Sequence, residues 1–315
     1  MAMRGRIVLI AGNSNRPLAL QVCSHLGIES CEALVGRFSD GEVRVEIGEN
    51  VRGKDAYVLQ STCPPVNENL MELLVIMDAL KRASARRVTC VVPYYGYGRQ
   101  DQKDKPRVAL TAKMVADLLV VAGASRVITV DLHADQIQGF FNIPVDHLYG
   151  TEVLLSDLKV RLQGNEVIVA PDAGGVERAR TFAERLGAFL AILDYRRAEA
   201  GPYAQIVGDV RGRRVVILDD MVDTGQTLIR AAEGAVAAGA ASVEACAVHA
   251  LLSGDAVERI ESSALQSLTV TDTVPRDEKA ARCEKIRTVS VASMLAEVIR
   301  RVHYEESVSS LFTRT

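Results

Sequence analysis

No stretch of the 315-residue sequence strings together the roughly 18 apolar residues that a membrane span requires. A membrane protein of the helical kind is therefore not expected. The opening, MAMRGRIVLIAGNSN, has too short an apolar run before Gly12 and Asn13 to read as a secretory leader. Net charge is also scarce: a formal −3 gives no general attraction to nucleic acid, so no nucleic-acid partner is expected. The six cysteines (Cys23, Cys31, Cys63, Cys90, Cys246 and Cys283) include no C-x-x-C pair. Most sit among apolar or small residues, which argues against a disulfide framework or zinc site and for a reducing, cytoplasmic setting. Low-complexity segments are lacking as well.

What the chain does have is core-forming residues. With 48% apolar and 24% charged residues it reads as a globular protein, and its length suggests two domains. Continuously apolar runs at Arg6–Ile10, Ala56–Gln60, Arg87–Val92, Val127–Val130, Val167–Ala170, Phe189–Leu193, Arg214–Leu218 and Val243–Val248 suit parallel strands covered on both faces. Helix-period segments lie between them: Asn67–Arg82, Thr111–Ala122, Gly175–Leu186, Thr227–Ala238 and Val291–Val302. The alternation predicts an α/β protein of two similar doubly wound, mainly parallel-sheet domains. The turn at Asn142–Pro144 suggests dividing it into 1–146 and 147–315.

VVILDDMVDTGQTL (Val215–Leu228) carries the most chemistry. A buried strand ends in two carboxylates, and a turn of small polar residues then opens a helix. Backbone N–H groups and the Thr224 and Thr227 hydroxyls would converge at that helix N-terminus, a natural phosphate site. Asp219 and Asp220 fall at the carboxyl end of the strand, where open α/β sheets bind ligands. They are placed to accept hydrogen bonds from vicinal sugar hydroxyls, directly or through magnesium. An ordinary capped turn rarely needs three aspartates and two threonines around one glycine.

At these residues the sequence resembles the phosphoribosyl pyrophosphate motif of phosphoribosyltransferases and ribose-phosphate pyrophosphokinases. GRFSDGEVRVEI (Gly36–Ile47), Gln60–Ala85, VPYYGYGRQD (Val92–Asp101), VDLHADQIQGFFNIPVD (Val130–Asp146) and APDAGGVERAR (Ala170–Arg180) are similar to the pyrophosphokinases in particular. The resemblance implies the phosphoribosyltransferase-type fold and transfer of the pyrophosphoryl group of MgATP to ribose 5-phosphate, giving phosphoribosyl pyrophosphate and AMP. It further implies that Phe38, Asp40, Gly41 and Glu42, with Arg99 and Gln100, hold ATP, the first group reaching it from a neighbouring subunit. His133 and Asp172 would take the magnesium end, and Asp219, Asp220, Asp223, Thr224, Gly225, Gln226 and Thr227 the ribose 5-phosphate. The 1–146 half would then be the ATP domain and 147–315 the ribose 5-phosphate domain. The family's hexamers imply a homo-oligomer.

Three segments depart from the family pattern. The second-domain strand reads LDYRR, so Arg197 is retained for catalysis and ribose 5-phosphate binding, but Tyr195 stands where lysine is expected. Tyrosine donates a hydrogen bond yet brings no positive charge at neutral pH. The following loop, Arg197–Gly208, and the loop around 98–109 are each shorter than usual, and Gln226 replaces a frequent glycine. Besides an active enzyme with reduced turnover, these departures admit an impaired homologue that co-assembles with and regulates an active paralogue. They also admit another phosphoryl donor or sugar phosphate.

Overall fold

The computed structural model describes residues 7–161, 164–198 and 201–311, the side chains of 195–198, 201–204 and 310 excepted. The chain forms two compact units. One runs to Tyr149 and resumes at Val291; the other spans Gly150–Ser290.

The first unit contains β1 (Ile7–Ala11), α1 (Arg16–Leu26), β2 (Ala33–Arg37), β3 (Val43–Ile47), β4 (Asp55–Leu59), α2 (Val66–Arg82), β5 (Arg87–Val92), α3 (Thr111–Ala122), β6 (Arg126–Val130) and β7 (Val145–Leu148). Its five-stranded sheet has the order β1-β4-β5-β6-β7, and every pair is parallel. Val8, Ile10, Val58, Cys90, Val92 and Val127 pack with α2 and α3 on one face. The opposite face carries Leu9 and Tyr57, both buried. The β2–β3 pair is a separate antiparallel hairpin whose Val35, Val45 and Ile47 rest on the same core.

The second unit contains α4 (Thr151–Lys159), β8 (Glu166–Ala170), α5 (Val176–Leu186), β9 (Phe189–Ala198), β10 (Gly201–Val207), β11 (Arg214–Val222), α6 (Gln226–Ala237), β12 (Ser242–Ala250), α7 (Ala256–Ser262), β13 (Ser267–Thr271), α8 (Glu278–Arg282) and β14 (Ile286–Val289). The last helix, α9 (Ala292–Tyr304), returns to the first unit. The seven-stranded sheet runs β10-β9-β8-β11-β12-β13-β14, parallel except for the β9–β10 pair. From β8 the chain first builds outward to β9 and β10, then returns to place β11 on the other side. The strand order therefore reverses between β8 and β11, and the crevice at such a reversal is where open sheets bind ligands.

The units differ from a division at 146/147 for two physical reasons. Val145–Leu148 is no linker but the edge strand β7, paired with β6 from Val127↔Val145 to Val130↔Leu148. And α9 belongs with the N-terminal half: the Tyr57 hydroxyl donates to the Ile299 carbonyl at 3.4 Å. Residues 197–208, expected as a loop, are largely strand, because β9 runs on to Ala198 and Gly201–Val207 pairs back along it. All six cysteines are buried and unbridged, and burial pushes the Cys23 and Cys63 thiols up to about 11. Among the described residues no helix is long and apolar enough to cross a membrane.

Asp55 ties α9 down. Its carboxylate, 2% exposed, accepts from Arg86 Nη2 at 2.9 Å, Arg87 Nη2 at 2.7 Å and His303 Nδ1 at 2.9 Å. Burial raises the Asp55 pKa, but the hydrogen bonds from Arg87 and Arg86 outweigh it and hold the group below the ordinary carboxylate value. A depressed carboxyl pKa contributes stability above its unfolded value, about 4, that is lost as pH falls below it. Asp55→Asn is expected to destabilise the first unit by about 3 kcal/mol at pH 7. Hydrogen exchange should then show faster amides in α9 and unchanged amides in β11.

Candidate functional site

In the second unit β11 is apolar as far as Leu218 because both its faces are covered, and it then delivers Asp219 and Asp220 to the crevice. Both are nearly buried, at 9% and 7% exposure. Asp219 Oδ1 accepts the Asp220 amide at 2.9 Å, and Asp220 Oδ1 accepts the Met221 amide at 3.0 Å. Burial, then the charge of Asp220 and a hydrogen bond with it, push the Asp219 carboxyl up to about 8; Asp172 adds to the shift. Asp172, just past the adjacent strand β8, is thus near enough to act on Asp219. Arg178 of α5 supplies the opposing charge, its Nη1 lying 3.9 Å from Asp220 Oδ1.

The phosphate loop follows at once. Gly225, at φ +75°, sits in the left-handed region that glycine enters freely, and this turn aims the start of α6 back at the strand end. No side chain caps α6, so the amides of its first turn are left for a ligand. Thr224, Gln226 and Thr227 are exposed. Asp223 is fixed through its backbone, because its carbonyl accepts the Ser253 amide at 2.9 Å. Asp172 is exposed and also shapes its own turn: its Oδ1 accepts the Gly175 amide at 2.9 Å. Tyr195 and Arg197 lie on β9 beyond its last pairing with β8, opposite Ala204 and Pro202; their side chains fall outside the described residues.

In the first unit Arg99, Gln100 and His133 follow the carboxyl ends of β5 and β6. After β5 the chain makes a tight excursion through Gly96, where a side-chain carbon would fall 2.3 Å from the Thr62 carbonyl oxygen. Tyr97 then adopts φ +64°, its hydroxyl held by Asn67 Oδ1. Arg99 and Gln100 follow, both exposed, and Gln100 is held at the start of α3 by the Thr111 hydroxyl and the Ala112 amide. A carbon added at Gly98 would lie 3.8 Å from the His133 Cβ, so the Arg99 loop and the His133 loop meet. Phe38, Asp40, Gly41 and Glu42 form the exposed tip of the β2–β3 hairpin. There the Phe38 amide donates to the Glu42 carbonyl at 2.8 Å and Asp40 Oδ1 accepts the Glu42 amide at 3.1 Å. Arg178 and the hydrogen-bond partners of these loops are missing from the sequence reading; APDAGGVERAR contains Arg178, but only the fold brings it to Asp220.

No three His, Cys, Asp or Glu among the described residues are gathered into a metal cage. Magnesium does not ask for one: it keeps several waters and is commonly held by one or two carboxylates together with substrate phosphates. The exposed Asp172 and the Asp219–Asp220 pair fit that mode.

The fold and this arrangement, a carboxylate pair and a helix start without a side-chain cap at a strand-order reversal, define a doubly wound α/β protein with a candidate ligand crevice. The model of the N-terminal domain of ribose phosphate pyrophosphokinase matches residues 7–123, and that of the phosphoribosyl synthetase-associated domain matches 195–313. The chain is 53% identical to the ribose-phosphate pyrophosphokinase of Ralstonia nicotianae over 97% of its length and 98% of the relative's. It is 51% identical to that of Caldanaerobacter subterraneus, over 97% of each chain. The crystal structure of phosphoribosylpyrophosphate synthetase from Mycobacterium smegmatis superposes with a TM-score of 0.91 at 39% identity, covering 95% of this chain and 99% of that one. The chain belongs to the ribose-phosphate pyrophosphokinase family.

The raised pKa of Asp219 makes the site a local weakness. A carboxyl whose folded pKa is raised favours the fold most below its unfolded value, about 4, and costs stability as pH rises toward about 8. Asp219→Asn is therefore expected to raise the ligand-free melting temperature at pH 8 by roughly 3–6 °C, with little change at pH 4. A melting temperature unchanged or lowered at pH 8 would refute this account of the pair.

Proposed function

We propose that the chain catalyses ATP:ribose-5-phosphate diphosphotransfer. The oxygen of the sugar's anomeric hydroxyl forms a bond to the β-phosphorus of MgATP, the bond from that phosphorus to the α-phosphate bridge breaks, and AMP leaves. The observation that carries this reading is the pair Asp219–Asp220 followed directly by the uncapped start of α6.

Asp219 and Asp220 accept hydrogen bonds from the vicinal ribose hydroxyls. Such donors favour the ionised carboxylates, and so does a nearby cation. Asp223, Gly225 and Gln226 shape the turn, and the Thr224 and Thr227 hydroxyls join the first-turn amides on the 5-phosphate. Arg99 and Gln100 hold the nucleotide. Phe38, Asp40, Gly41 and Glu42 do so for a neighbouring copy, a role that suits an exposed hairpin tip and a homo-oligomer, a hexamer by family. Magnesium, when bound, would neutralise phosphate charge; Asp172 in the second unit and His133 in the first are each proposed to serve its nucleotide complex. Arg197 supplies positive charge to the transferring group, and Tyr195 a hydrogen bond where the family carries lysine.

Phosphoryl transfer depends on positioning and charge more than on covalent help, so losing one cation lowers turnover without changing the reaction. Purified protein with MgATP and ribose 5-phosphate is expected to form AMP and phosphoribosyl pyrophosphate in equal amounts. Tyr195→Lys should raise kcat by up to roughly 10²-fold, the scale of one oriented donor. A wild type that binds both substrates but turns over only after Tyr195→Lys would overturn the active-enzyme reading.

A further inference from the structure

His147 lies one residue beyond the VDLHADQIQGFFNIPVD segment, on the edge strand β7, and the sequence assigns it nothing. It is 4% exposed. Its Nε2 accepts the Leu132 amide at 2.9 Å. The preceding residue, Asp131, adopts φ +37°, where a residue with a side chain is strained, and its amide is held by the Leu148 carbonyl at 2.9 Å. The chain thus leaves β6 through a strained turn whose two amides are both tied to β7, one by main chain and one by the imidazole. The next residue is His133.

The ring also meets the far side of the same loop. Its Nδ1 lies 3.1 Å from the Gln138 side-chain amide and 3.8 Å from Asp135 Oδ1, and Tyr149 packs at 4.8 Å between ring centroids. An Nε2 that accepts a backbone N–H cannot carry the proton in the neutral ring, so Nδ1 carries it. The Gln138 side-chain nitrogen beside Nδ1 also donates to the Asp135 carbonyl at 3.0 Å, so Gln138 closes the loop onto itself beside the ring. The loop from Leu132 to Gln138 is wrapped around one rigid post.

We propose that His147 is a positioning residue for the nucleotide–magnesium end: by holding the Leu132 amide it fixes the direction in which His133 leaves the strained turn. The role attached to His133 rests on the function proposed above; the hold on Leu132 does not. Outer-shell groups that orient a ligand typically cost 10–100-fold in metal affinity or activity when removed.

The test compares His147→Leu, which has no acceptor, with His147→Gln, whose Oε1 reaches about as far as Nε2, in the full chain. Three measurements are made: calorimetric affinity for MgATP without ribose 5-phosphate, KM for each substrate, and solid-state ¹⁵N spectra of histidine-labelled protein. His147→Leu is expected to weaken MgATP by roughly 10–100-fold with an unchanged KM for ribose 5-phosphate, and His147→Gln to recover most of it. The wild-type spectrum should include a histidine signal protonated at Nδ1 and bare at Nε2 that is absent from His147→Gln. A well-folded His147→Leu that binds MgATP like the wild type, or equal losses for both substrates, would overturn the proposal. So would an Nε2-protonated His147. If His147→Leu fails to fold, the Gln variant and the wild-type spectrum decide. A wild type that binds no MgATP refutes the proposed function instead, and the tautomer still decides whether His147 holds Leu132.

Discussion

Asp219 and Asp220 leave β11 side by side at the point where the second sheet reverses its strand order, and both are largely shut off from water. Like charges in a poorly solvated place repel, and the raised Asp219 pKa records that cost. The surrounding structure answers in two ways. Backbone amides of Asp220 and Met221 and the Arg178 guanidinium share out the negative charge. In the function proposed above, a ligand rich in hydroxyl donors or accompanied by a cation adds to these partners. A site that is fully compensated before binding would have little left to gain from its ligand.

The start of α6, like those of α2, α3 and α5, carries no side-chain cap, and in the proposed function this keeps its first amides available. A Ser or Asp side chain on the first amides would steady the helix by about 1 kcal/mol but would occupy the donors that a phosphate needs. Glycine stands at the N-cap instead, at φ +75°, and Thr224 and Thr227 face solvent. Stability is recovered away from the donors: the Leu251 and Leu252 amides both go to the Val222 carbonyl, and Ser253 holds Asp223.

How much of this was readable from the sequence depends on how local each contact is. Strands buried on both faces, such as β4 and β11, announce themselves as unbroken apolar runs, and the strand–turn–helix from Val215 to Leu228 is contiguous, so both are legible. The β2–β3 hairpin is absent from the sequence expectation although VRVEI has the alternation of a half-buried strand; its partner ALVGR has no such pattern, and a strand pair needs both. β7 is not legible as a strand because its four residues include buried Asp146 and His147, and only the fold supplies their partners, Arg126 and the Leu132 amide. Extension of β9 into a hairpin with β10 depends on pairing that no local pattern specifies. Arg178 and His147 share that limit: each acts on a residue far from it in sequence, so residue type alone says nothing of its role.

Backbone strain is distributed along the same division. Tyr97, Asp131 and Leu252 all carry positive φ without being glycine, and each lies in a turn just beyond the carboxyl end of a parallel strand. Each turn is over-determined by bonds to neighbouring elements: Gly96 to Thr62, Asp131 and Leu132 to β7, Leu252 to Val222. Strained conformations persist only where the surroundings impose them, so these turns are where side-chain direction is set most tightly. Arg99 and His133 follow such pinned turns, and the Leu252 turn is bonded to Val222 beside the start of the α6 turn. The FSDGE tip and the β9–β10 segment instead project on hairpins, outside the parallel core. In the function proposed above this division is useful: holding a phosphate demands a fixed frame, whereas reaching a reacting group demands extension beyond it.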